Sequence, residues 1–192
     1  PHPLTQTIVN ELQKADGRQI ILTGHAGDGK STIALGVYKQ LTKSPPDKPL
    51  ARQMSPREDI AGTNVSVLKD LSERRREDDS AFMKEVCAGK RRFLIVSNTG
   101  ALLDLFRSQA TSFGMSSVQI ESDVLQAISN EAGESELALG DTRFLVINLA
   151  RIDNLDLARR IFARMIDPAR WASCVDLPCR ANCPICLNVD LI

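Results

Sequence analysis

Apolar residues along this chain follow two patterns, and the two alternate. One is helical spacing: Leu4, Ile8, Val9 and Leu12 mark a leading helix over 4–14, because residues three and four apart share a face. The other is a short unbroken run. Gln19-Ile20-Ile21-Leu22-Thr23, Arg92-Phe93-Leu94-Ile95-Val96-Ser97-Asn98 and Arg143-Phe144-Leu145-Val146-Ile147-Asn148-Leu149 are of this kind. Runs of that length read as strands buried on both faces. Val65-Ser66-Val67-Leu68-Lys69-Asp70 is a further strand, interrupted by Lys69 and ending on an acid.

Helices are predicted between these runs, over 32–43, 72–87, 101–109 and 122–130. Ser44-Pro45-Pro46-Asp47-Lys48-Pro49 breaks the first of them. A short strand fits 49–54, and the acidic, glycine-bearing stretch 132–141 reads as a loop. A last helix starts at Asp153 or Asn154 and runs to Ile166, with Leu157, Ala158, Ile161, Phe162, Met165 and Ile166 on one face. Asp167-Pro168 limits it. Strands alternating with helices predict an α/β fold, a parallel sheet covered by helices on both sides. Ligands of such sheets sit outside the carboxyl ends of the strands. The expected organisation is one domain over 1–168 and a small segment over 169–192.

The chemistry concentrates behind the first strand. Gly24-His25-Ala26-Gly27-Asp28-Gly29-Lys30-Ser31-Thr32 fits the phosphate-binding pattern G-x-x-x-x-G-K-[ST]. It lies between a predicted strand and a predicted helix, the context that this chemistry needs. Glycines let successive N–H groups curl inward as an anion nest. The helix behind aims its positive end at the same point. Lys30 is expected to reach the β- and γ-phosphates, Ser31 to ligate Mg²⁺, and Thr32 to lie within reach of the α-phosphate. Hydrolysis needs an acid for the magnesium and a group that orients water. Asp70 is the candidate for the first, set against a plain surface acid at a strand end. No Glu follows Asp70 directly; Glu73 is the nearest, and the reading of a solvated helix-start acid is favoured for it. Asn98 ends its strand and either senses the γ-phosphate or caps the helix that follows. Arg151 is a candidate arginine finger.

The last 19 residues carry Cys174, Cys179, Cys183 and Cys186, spaced C-x4-C-x3-C-x2-C. Four thiolates suit a structural Zn²⁺ site. An iron–sulfur cluster uses the same ligands, and unmetallated thiols are the remaining option. Cys87 stands alone and reads as a small apolar residue.

Composition excludes little. With 192 residues, 43% hydrophobic, 25% charged and a net charge of zero, the chain suits one well-cored domain. Zero net charge argues against whole-surface attraction for nucleic acid but leaves room for a local patch. The basic clusters Arg74-Arg75-Arg76 and Lys90-Arg91-Arg92 read as a solvated helix face and a strand lead-in. No apolar run spans a bilayer and no signal peptide is recognisable, so a cytoplasmic protein without a membrane partner is expected. The start at Pro1 and the apolar end Val189-Asp190-Leu191-Ile192 suggest a piece of a longer protein. The guanine-recognition motif N-K-x-D and an L-S-G-G-Q signature are both missing, which disfavours a GTPase and an ABC-type ATPase.

Five segments together carry a resemblance: Ile21 to Thr32, Lys69-Asp70-Leu71-Ser72-Glu73, Leu94 to Asn98, Val146-Ile147-Asn148-Leu149, and Trp171 to Asn188 with Cys183-Pro184-Ile185. They resemble prokaryotic antiphage-defence P-loop NTPases of the STAND or AAA+-like kind. They are similar to the ATPase component of phosphorothioation-dependent DNA restriction systems. The resemblance implies ATP hydrolysis coupled to assembly or to an effector, with a homo-oligomer or defence-complex proteins as partners and DNA as a possible one. A nucleotide-dependent switch with little turnover is the second reading, supported by the missing Glu after Asp70. A small-molecule kinase ranks last.

Overall fold

The computed structural model describes residues 2–14, 18–153, 155–174, 178 and 182–184. The chain divides into two compact units, Pro1–Ile152 and Asp153–Ile192. The first unit is α/β. Its sheet has six strands in the order β2-β3-β4-β1-β6-β5: β1 Gln19–Thr23, β2 Arg57–Asp59, β3 Val65–Leu68, β4 Arg92–Val96, β5 Glu134–Leu139 and β6 Thr142–Asn148.

The four inner strands β3, β4, β1 and β6 run parallel. The two edge strands are antiparallel to their neighbours. The sheet is therefore mixed, and the expectation of a parallel sheet holds only for its centre. The reason is local. A two-residue turn at Gly140-Asp141 joins β5 directly to β6 as a hairpin, and a hairpin reverses direction.

Each apolar strand feeds two cores, because its side chains alternate across the sheet. Ile20 and Leu22 face helices α1 (Pro3–Gln13) and α2 (Lys30–Leu41), packed with Leu94, Val96 and Ile147. Ile21 faces the opposite side, with Phe93, Ile95, Phe144 and Val146. There the cover comes from α3 (Asp79–Cys87), α4 (Thr99–Ser108) and α5 (Ser117–Ser129). Burial on both faces explains why β1 and β4 read as unbroken apolar runs.

Four expectations change. The stretch 132–141 holds β5, whose outward side chains are acidic while Leu137 and Leu139 are buried. No strand lies at 49–54; the chain pairs at Arg57–Asp59 instead. The helix expected over 72–87 begins only at Asp79, after two 3₁₀ turns, Leu71–Glu73 and Arg76–Asp78. Between the turns Arg74 and Arg75 are extended. The Arg74 guanidinium lies 3.9 Å over the Phe82 ring and 3.2 Å from Asp79, which holds the chain off a continuous helix. Finally, α5 starts at Ser117, capped by the Ser116 hydroxyl accepting from the Gln119 N–H.

In the second unit, α6 covers Leu155–Met165 and α7 Pro168–Trp171. Ile161, Phe162 and Met165, expected together on one face, are exposed. The Trp171 Nε1–H donates to Met165 O at 2.7 Å. No described helix is long and apolar enough to cross a membrane.

Candidate functional site

The glycine loop leaves the carboxyl end of β1, which has parallel neighbours on both sides, as β4 does. Gly24, Gly27 and Gly29 have φ of 147°, 90° and 87°, a region that side chains rarely enter. Those three positions make the chain curl between Thr23 and α2. Gly24 is also enclosed: a Cβ there would lie 2.7 Å from Asp28 Oδ2, 3.2 Å from Leu149 Cβ and 3.4 Å from Ala150 N. The turn after β6 thus forms the floor beneath the loop's first residue.

Lys30 closes the ring from its other end. Its Nζ donates to Gly24 O at 2.9 Å and to His25 O at 2.6 Å. An ammonium has three donors, so one remains for a ligand. Asp28 adds a second tie, with Oδ2 accepting from the His25 N–H at 2.6 Å. The His25 ring is exposed, with Nδ1 3.9 Å from the same oxygen. Ala26 is exposed at the tip, and Ser31 and Thr32 are exposed on the first turn of α2. Gly29 is the N-cap of α2 and supplies no side-chain cap. The Asn98 and Ser116 side chains cap α4 and α5. The leading N–H groups of α2 therefore have no side-chain partner, and a helix start of that kind attracts anions.

The remaining candidates lie at the same edge of the sheet, since β1, β3, β4 and β6 are parallel. Asp70 follows β3, two positions from β1 in the strand order, or about 10 Å of sheet. Its Oδ1 accepts from the Ser72 N–H at 2.9 Å and from the Ser72 hydroxyl at 2.8 Å. Glu73 is exposed and 3.8 Å from Lys69 Nζ. Asn98 follows β4, which lies directly between β3 and β1. Its Oδ1 caps α4 by accepting from the Ala101 N–H at 2.8 Å. A cleft of about 530 Å³ opens beside it, lined by Leu71, Ser72, Arg74, Arg76, Asn98 and Asp104 among others. The glycine loop is not part of that cleft, as befits a nest of backbone donors rather than a cavity. Arg151 is exposed on the turn after β6, on the far side of β1 from Asn98.

Each arginine of the first basic cluster has an acidic partner. Arg74 pairs with Asp79, Arg75 with Glu77 and Arg76 with Asp104. Burial pushes the Arg74 guanidinium below its ordinary pKa, against the pull of Asp79. The Arg91 Nε–H donates to Ser66 Oγ at 2.8 Å.

Of the cysteine set, Cys174 and Cys183 are half-buried, while Cys179 and Cys186 lie outside the described residues. Among the described residues no three His, Cys, Asp or Glu side chains are grouped to hold a metal. Cys87 is half-buried on α3, its Sγ 3.9 Å from Ser112 O. Sequence reasoning missed the side-chain role of Asp28 and the floor made by Leu149 and Ala150. Asp28 occupies a position that the motif leaves open, and the floor depends on β6 lying next to β1. Comparison with protein-family models, curated proteins and solved structures returns no match.

Proposed function

We propose that residues 1–152 form a P-loop NTPase unit that binds ATP on the 24–32 loop and hydrolyses it. The observation that carries this reading is the closed ring. Three positive-φ glycines curl the backbone, Lys30 ties its own ammonium to Gly24 O and His25 O, and α2 starts without a side-chain cap. Such a set of donors suits a polyphosphate. On this reading the backbone N–H groups up to Lys30 cradle the phosphates. The third Lys30 donor meets the β- and γ-phosphate oxygens, and Thr32 lies toward the α-phosphate.

The Ser31 hydroxyl and the Asp70 carboxylate are hard oxygen donors of the kind Mg²⁺ takes. Asp70 keeps Oδ2 for it while Ser72 holds Oδ1. Held there, Mg²⁺ would supply positive charge to the phosphate oxygens. Water attacks the γ-phosphorus as the bond to the ADP oxygen breaks. Lys30 and the α2 N-terminus stabilise the charge that develops. Asn98, on the strand next to the loop, orients the water through its amide.

A nucleotide-dependent switch is the second reading, and a specific observation favours it. The residue after Asp70 is the buried Leu71, and Glu73 is exposed beside Lys69. Slow turnover follows from that lack of a positioned base. The likeness to prokaryotic defence ATPases extends either reading: nucleotide state then governs assembly with further copies or partner proteins, and DNA is the trigger to test. For 169–192 the proposal is a structural Zn²⁺ site on Cys174, Cys179, Cys183 and Cys186, argued from four thiolates at close spacing.

The test is phosphate release from ATP and Mg²⁺, with and without double-stranded DNA, beside Lys30→Ala. Lys30-dependent release supports the hydrolase, and stimulation by DNA supports the defence role. Bound nucleotide without release supports the switch. Wild-type binding and turnover in Lys30→Ala would remove the nucleotide site altogether.

A further inference from the structure

We propose that Asp28 is a positioning residue for the nucleotide: its carboxylate braces the loop from behind and so sets affinity. The inference rests on the reading of the loop as a nucleotide site. The motif asks for no particular side chain at this position, and a negative charge beside a polyphosphate is unfavourable on its face. The geometry resolves the conflict.

The Asp28 side chain is 24% exposed, far less than the 84% of His25. Its Oδ2 lies 2.7 Å from the point where a Gly24 Cβ would stand, a point that Leu149 Cβ and Ala150 N also approach. The carboxylate thus stands against Gly24, at the start of the loop, where the turn after β6 also approaches. From there Oδ2 accepts from the His25 N–H at 2.6 Å. Lys30 Nζ donates to the carbonyl of the same residue at 2.6 Å. Both backbone polar groups of His25 are held by charged side chains from the far end of the ring.

A glycine-rich loop has much backbone freedom to lose. Where the loop is ordered beforehand, the ligand does not bear that cost on binding. Removing the brace therefore weakens ground state and transition state alike, which raises KM and leaves kcat. The side chain works as an acceptor rather than as a charge. Asn retains an acceptor oxygen and drops the repulsion, so it should serve at least as well.

The experiment measures the ATP dissociation constant, with Mg²⁺, for wild type, Asp28→Ala, Asp28→Asn and Lys30→Ala, alongside melting temperatures without nucleotide. Asp28→Ala should bind about tenfold more weakly, or about 1.4 kcal/mol, with kcat at saturation within about twofold. Asp28→Asn should bind at least as tightly as wild type. Wild-type affinity in Asp28→Ala, or an Asp28→Asn as weak as the Ala variant, overturns the proposal. If Asp28→Ala melts early, its affinity is measured below its melting temperature, where a wild-type value still overturns the proposal; a tenfold loss in Asp28→Asn overturns it as well. Lys30→Ala separates the two layers. If it too binds like wild type, the nucleotide reading has failed; if it alone loses binding, only the Asp28 inference has.

Discussion

Gly24 and Gly27 belong to the same loop, yet replacing each by Ala should have different consequences. Both have positive φ, so Ala at either position bears backbone strain of about 1–3 kcal/mol. At Gly27 nothing lies within 4 Å of the added Cβ, and strain is the whole cost. At Gly24 the Cβ would meet Asp28 Oδ2 at 2.7 Å, too close for any real contact. The Asp28 carboxylate must then shift, which lengthens or breaks its bond to the His25 N–H. Taken as an acceptor bond, it contributes about 0.5–1.5 kcal/mol, so Gly24→Ala should lose up to about that amount beyond Gly27→Ala. The Leu149 Cβ at 3.2 Å adds crowding that Asp28 cannot relieve. In binding, the extra loss is about twofold to tenfold at 1.4 kcal/mol per decade. The assay is calorimetric titration of ATP into each variant, with urea unfolding run in parallel. A double variant, Gly24→Ala with Asp28→Ala, should lose less than the sum of the single losses, because the clash and the brace involve the same carboxylate. Equal affinities for Gly24→Ala and Gly27→Ala, or strict additivity in the double variant, would refute the reasoning.

Two further outcomes are expected. Hydrogen bonds from Arg52 hold the Glu58 carboxyl below its usual range, and those from Arg57 do the same for Glu85. Asp59 is also held low: burial pushes it up, but bonds from Arg57 and Ser66 outweigh that. Carboxylates depressed in the folded state contribute stability above their unfolded pKa and lose it as pH falls through the folded values. Urea midpoints should therefore stay flat from neutrality down to about pH 4.5 and then drop; Glu58→Gln should lower the neutral plateau and flatten the acid limb, and a wild-type profile in that variant would discard the assignment. Cys183→Ser should release close to one equivalent of zinc per chain and increase proteolysis within 169–192; unchanged metal content by atomic absorption would reject the zinc site.

What could be read from sequence alone was what depends on near neighbours in the chain. Ile20 to Leu22 and Phe93 to Val96 are apolar on both faces, so their runs identified inner strands. The loop was legible because its glycines, Lys30 and Ser31 are fixed by spacing. β5 was not, because an edge strand facing water on one side needs only Leu137 and Leu139 inward and accepts acids elsewhere. Nor was the break at Arg74, whose cause is a stack on Phe82 eight residues on and a pair with Asp79. The approach of Leu149 to Gly24 follows only from β6 pairing with β1 along Thr23 and Asn148.

The strand order also ranks the supporting residues. β4 separates β1 from β3, so a ligand on the loop meets Asn98 one strand away and Asp70 two strands away. Asn98 spends its oxygen on the Ala101 N–H, and its remaining polar atoms are donors, suited to a phosphate oxygen or to water. Asp70 spends one oxygen on Ser72, and the other remains as an acceptor, suited to a cation. The two side chains are thus complementary, donors near the loop and an acceptor farther out, which on the proposed reading would help hold Mg²⁺. No second carboxylate takes part, because Glu73 is exposed beside Lys69. If Asn98 orients the water and Asp70 holds the cation as proposed, the lack of a carboxylate directly after Asp70 would slow turnover more than binding. On the proposed reading, that balance separates the two outcomes of the phosphate-release test: Lys30-dependent release means that Asn98 and Asp70 suffice, and bound nucleotide without release means the switch.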